Sequence, residues 1–163
     1  MINFLFAVLL VFSAQSVFAT EIDQIKIKAS LNLKRCDDVL VDGKFQNCVD
    51  KTSPDSDLIF DLTKNCNQIA NTVNCSSSKS VTTRMDNGSA TAIIVVSKIK
   101  DEAGSIQILA TIMLTPGMNF SQQSVLNLTL TESGLFPPKI HLQASSYKPM
   151  DDSRLFFPSL VIN

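Results

Sequence analysis

The residues with the most chemical potential lie between Arg35 and Cys75. That stretch holds all four cysteines of the chain, Cys36, Cys48, Cys66 and Cys75, and seven of its fifteen acidic residues. Four thiols in one segment point either to two disulfides or to a metal site. Zinc sites built on cysteine use paired, closely spaced ligands, often with histidine nearby. Here the spacings are irregular and no histidine is close, so disulfides are expected. A three-residue loop at Val41-Asp42-Gly43 would set Leu40 opposite Lys44 and Cys36 opposite Cys48 in one hairpin. The expected pairs are therefore Cys36–Cys48 and Cys66–Cys75.

The acids suggest two further chemistries. Asp50, Asp55, Asp57 and Asp61 surround Pro54, and Ca²⁺ takes six to eight oxygen ligands. The spacing is not that of an EF-hand, with neither its turn glycine nor its closing glutamate. A solvated acidic loop is the reading, and no metal ligand is assigned. A small hydrolase using acids between Asp37 and Asp61 is the alternative function. Glycosidases need two carboxylates at a set separation, and sequence spacing picks out no such pair.

Nucleophilic catalysis has little to work with. His141 is the only histidine, and it falls on the polar side of an alternating segment. No Gly-x-Ser-x-Gly element presents a serine. No catalytic residue and no cofactor site are assigned. Acceptor sequences for N-glycosylation occur at Asn74, Asn87, Asn119 and Asn127.

Composition narrows the partners. Net charge is −1 with no basic or acidic block. Phosphate binding needs clustered Lys and Arg, so nucleic acid is excluded as a partner. Trp is absent and Tyr147 is the only tyrosine, which argues against the aromatic girdles of a membrane barrel.

The elements that must position these groups are strands. Ile25, Ile27, Ala29, Leu31 and Leu33 alternate with Lys26, Lys28, Ser30 and Asn32, the period of a half-buried strand. Ala90 to Lys100 and Ser105 to Thr115 are β-branched runs around Asp101 to Gly104, a hairpin signal. A four-residue loop there sets Ile99 opposite Ile106, Val95 opposite Ala110 and Ile93 opposite Ile112. Such a pair is apolar on both sides at its far end and belongs inside a layered structure. Further strands are expected at Leu58–Leu62, Val81–Met85, Gln123–Thr131, Lys139–Ser145 and Leu155–Ile162. Asn65 to Asn74 reads as a helical turn or irregular loop, and Ser76 to Ser80 as polar linker. Pro158 is expected at an edge or a strand start, because proline donates no ladder bond.

The first residues read differently. Phe4 to Phe12 is apolar, and Val17-Phe18-Ala19 resembles a cleavage site. Residues 1–19 are therefore expected to be a cleaved secretory signal helix, with no later membrane-spanning helix. Residues 20–163 then form one disulfide-containing domain, an antiparallel β-sandwich of eight or nine strands. The expected function is an exported, non-enzymatic binding or structural module of the periplasm, envelope or extracellular space. Its partner would be a protein or surface ligand. Phe136 and the pair Phe156-Phe157, each beside a proline, are a candidate partner patch, with core closure as the alternative role. If the strands closed into a barrel, an apolar-ligand carrier would be a third reading.

Overall fold

In a computed structural model, residues 22–117, 122–130 and 135–163 are described; the expected signal segment 1–19 lies outside them. These residues form ten strands and no helix. In order they are β1 (Gln24–Val41), β2 (Lys44–Thr52), β3 (Ser56–Asp61), β4 (Cys66–Ile69) and β5 (Thr72–Met85). Then follow β6 (Gly88–Lys100), β7 (Ile106–Pro116), β8 (Ser124–Leu130), β9 (Ile140–Gln143) and β10 (Arg154–Ile162).

The strands make two antiparallel five-stranded sheets. Sheet A runs β2-β1-β10-β9, with β3 also paired to β1; sheet B is the meander β4-β5-β6-β7-β8. The long β1 is shared by collinear partners, β3 along Gln24–Ala29 and β2 along Asn32–Val41. Strand β10 returns from the far end of the chain to pair Ala29–Asp37. This is the expected sandwich, and the sheets do not close on themselves. The carrier reading, which required a closed barrel, loses its basis.

Alternation builds the core. Ile25, Ile27, Ala29, Leu31 and Leu33 of β1 are buried, and so are Phe60, Phe156 and Leu160 beside them in sheet A. Opposite them lie Ala90, Ala92, Ile94 and Val96 of β6, with Ile108, Ala110, Ile112 and Leu114 of β7. Alanines among large aliphatic residues let the layers interdigitate at close packing. Sheet-on-sheet burial of this kind contributes roughly 25 cal/mol per Å² of apolar surface removed from water.

Several local expectations are corrected. The β6–β7 loop is Asp101–Ser105, one residue longer than expected. Lys100 pairs with Ile106, Ile94 with Ile112 and Ile93 with Met113. Asp101 holds this loop, accepting the Ser105 amide on Oδ1 at 2.7 Å. A one-residue change in register exchanges faces. Even-numbered residues of both strands therefore point into the core, and the other face is half-buried rather than covered.

The β1–β2 turn is two residues, Asp42 and Gly43, both at positive φ (51° and 74°). Such a turn suits the strand twist of a tight hairpin. Register shifts between Arg35 and Leu40 then bring Cys36 opposite Cys48. Asn65–Asn74 is a hairpin, with Cys66 directly opposite Cys75. Ser76–Ser80 is the middle of β5, satisfied by its ladder with β6. Pro158 lies within β10, between β1 and β9. Its carbonyl accepts from the Ala144 amide at 3.2 Å, just past the last β9 ladder residue. Its missing N–H therefore points where that ladder has ended.

One end of the sandwich is closed by a close approach. A Cβ at Gly88 would lie 2.2 Å from the Phe156 ring, so the ring packs directly on the backbone of β6. Tyr147 stacks on Phe156 with ring centroids 5.5 Å apart. Its hydroxyl accepts from the Ser89 amide at 2.6 Å and donates to the Ser89 carbonyl. Gly88→Ala is expected to destabilise the fold by about 1–3 kcal/mol through overpacking. Tyr147→Phe is expected to cost about 1–2 kcal/mol by stranding the Ser89 amide. Urea unfolding midpoints measure both, and an unchanged midpoint for either variant refutes the corresponding contact.

Candidate functional site

The outer face of sheet A carries a groove of about 770 Å³. Its floor follows from strand parity. Residues of β1 that point away from the core include Asn32 and Lys34, beside Phe157 and Ser159 of β10. Ser159 in turn faces Gln143 of β9, and Val161 faces His141. The β1–β2 hairpin forms one wall with Gly43, Lys44 and Phe45. Phe45 meets Phe157 at 5.1 Å between centroids, tilted 52°. The Cys36–Cys48 bond lies at the foot of this wall and links its two strands.

The chemistry of the groove is mixed. Lys34, Lys44 and His141 supply cationic or protonatable nitrogen, and Gln143 and Ser159 supply uncharged polar groups. The two phenyl rings supply the apolar surface. Asn32 is already engaged: its amide donates to Asp50 at 3.3 Å and its carbonyl accepts from Thr52 at 3.2 Å. What remains suits an anion with a flat apolar face, held by charge at one part and by ring contact at another.

The residues singled out from sequence fall in different places. Both disulfides have the expected pairing, Cys36–Cys48 and Cys66–Cys75, which suggests an oxidising extracellular or periplasmic environment. His141 is exposed on β9, within the groove. The three phenylalanines do not form one patch. Phe156 is fully buried, and Phe136 packs half-buried against the core. Phe157 points the opposite way because it is the neighbour of Phe156 on a strand. It joins the groove alone.

The acids also separate. Asp37 accepts from Asn47 at 2.6 Å and Asp38 pairs with Lys148 at 3.2 Å. Hydrogen bonds from the Thr63 side chain and amide, with help from Lys64, lower the Asp61 carboxyl to about 2. Among the described residues, no three His, Cys, Asp or Glu side chains converge to hold a metal ion.

Lys34, Lys44, Phe45 and Gln143 are the groove residues that sequence reading passed over. Lys34 and Gln143 carry a signal only as polar members of alternating strands. Nothing in the chain places them beside each other.

A charged cluster near Tyr147 is structural. Arg154 donates to Asp152 at 2.6 and 2.7 Å and lies 3.5 Å from Asp86, which also pairs with Arg35. This ties the start of β10 and the β1 strand of sheet A to the β5–β6 turn of sheet B. Hydrogen bonds from the Arg154 side chain hold the buried Asp152 carboxyl down to about 2 from its ordinary 3.8, against the effect of burial. A carboxyl depressed on folding contributes stability above its unfolded pKa, and that contribution is lost as pH falls through the folded value. Stability is therefore expected to fall between about pH 4 and pH 2, with Asp61 titrating in the same window. Asp152→Asn should lower stability at pH 7 and flatten this slope. Denaturation followed from pH 7 to pH 2 checks it, and an unaltered slope refutes the assignment.

Comparison with protein-family models, with curated proteins and with solved structures finds no match for this chain.

Proposed function

We propose that the protein is an exported binding module and that its ligand site is the groove on sheet A. The ligand class is an acidic saccharide, which combines carboxylate groups with sugar faces that stack on aromatic rings. The observation that carries this reading is the junction of Phe45 and Phe157 with Lys34, Lys44 and His141 on one open surface. Open grooves with a few convergent polar groups are the usual form of ligand sites on rigid scaffolds.

Export rests on three supports. The two disulfides need an oxidising compartment. The first nineteen residues read as a cleaved signal. The near-neutral charge shows no block suited to nucleic acid. A non-enzymatic role fits the scattered acids, each of the contacts above being to a neighbouring side chain or backbone group rather than to a second carboxylate.

The rigidity of the site is part of the proposal. Its floor is three paired strands, and its wall is cross-linked by Cys36–Cys48. A pre-formed site of this kind spends little ordering energy on binding. Oligogalacturonate titrated into isotopically labelled protein should perturb amides of β9, β10 and the β1–β2 hairpin, while neutral galacto-oligosaccharide should not. Lys34→Glu and Phe157→Ala should each weaken binding about tenfold or more, a loss near 1.4 kcal/mol. Equal responses to the two saccharides, or unchanged affinity in both variants, refute the reading.

A further inference from the structure

The two outer faces of the sandwich differ in charge. Sheet A exposes Lys26, Lys28, Lys34, Asp50, Asp57 and Asp61 on its outward positions. The outward rows of sheet B are set by three registers. Ser80, Ile93, Met113 and Val125 form one row; Ser78, Val95, Thr111 and Asn127 form the next; Ser76, Ser97, Leu109 and Thr129 form a third. Asn74, Ile99 and Gln107 extend the array. None of these positions is charged; the same face carries one charge on β5, Arg84, toward the β5–β6 turn and away from these rows.

We propose that this face is where two copies of the chain pair, sheet on sheet about a two-fold axis. Charge decides the occupant. A two-fold contact sets one patch against itself, so any charge near its centre meets its own kind. Like charges so placed cost several kcal/mol. A face whose central rows carry none is self-compatible, whereas a strongly charged partner would gain nothing from those rows. Depletion of charge at the centre is also the compositional mark of an interface core.

The apolar residues lie where such a contact needs them. Ile93, Val95, Leu109 and Met113 are half-buried on β6 and β7, and Val125 is 47% exposed beside them on β8. Serine and threonine surround them and offer hydroxyls to a facing sheet. The size is sufficient. The four strands β5–β8, each about 4.8 Å wide, cover about 19 Å, and eight residues along β6 span about 27 Å. The projected area is about 500 Å² per copy, or about 1,000 Å² for the pair, at the lower bound for a specific contact. The association is therefore weak to moderate. It leaves the groove on sheet A open, and it stands whether or not the groove binds saccharide.

Sedimentation equilibrium of the processed, oxidised protein from about 1 to 500 µM tests it. The expected result is a reversible rise from monomer to dimer mass. Thr111→Lys, at the centre of the face, and Val125→Lys, at an exposed position, should each weaken dimerisation at least tenfold. Lys28→Glu on sheet A should leave it unchanged. Far-UV circular dichroism and the unfolding midpoint of dilute samples confirm that the variants fold. A wild-type protein that stays monomeric throughout overturns the proposal. So does a dimer that survives both lysine substitutions, since its contact would then lie at a strand edge or on sheet A.

Discussion

Each sheet has one dry face, and the only way to remove both from water is to lay them on each other. That constraint organises the molecule. The distance between the layers is set by what lies between them, and alanines at 29, 90, 92 and 110 admit larger neighbours. The layers meet directly where Phe156 rests on Gly88, with no side chain between ring and backbone. Tyr147 then locks the same end by its two hydrogen bonds to Ser89. The ion cluster around Asp86 and Asp152 completes the closure from outside. At this end the core, an aromatic pair and a set of charges act on the same few residues of β6 and β10.

The groove follows from the same arrangement. Because β10 pairs with β1, the last strand of the chain lies in the middle of sheet A, with β9 at the edge. Its inward residues, Phe156 and Leu160, build the core, and its outward residues, Phe157 and Ser159, build the groove. One strand thus joins stability to the proposed binding. The hairpin between β1 and β2 adds the wall, and the disulfide fastens it. Among the described residues the exposed side of sheet B carries no comparable wall, and the connections between β5, β6 and β7 are short. A flat face suits a flat partner, and a walled groove suits a small or linear ligand.

Much of this was readable along the chain because the relevant forces are local. The period of two in Ile25–Leu33 can be satisfied only by a strand with one buried face, whatever lies beyond it. Hairpin neighbours are close in sequence, so Cys36 could be paired with Cys48 locally, and Cys66 with Cys75 followed as the remaining pair although their segment did not read as a hairpin. Other features misled for equally physical reasons. A serine-rich run such as Ser76–Ser80 has little intrinsic preference for a strand, and only the β6 ladder makes it one. Pro158 is tolerated inside a sheet because its nitrogen faces a place where pairing has stopped, which is a property of β9.

By itself, then, the sequence determined the class of structure, two stacked antiparallel sheets, and the covalent links within its hairpins. Both depend on interactions within a few residues. The tertiary structure decided which face of β6 and β7 is buried. One extra residue in the Asp101–Ser105 loop reverses the pairing of Ile93 and Ile112, and the energy of that choice comes from the whole opposite sheet. It alone also brought Lys34, Lys44, His141 and Phe157 to one surface. Lys34 and Lys44 lie near one end of the chain and His141 and Phe157 near the other, and no local preference records that β1 and β10 become neighbours.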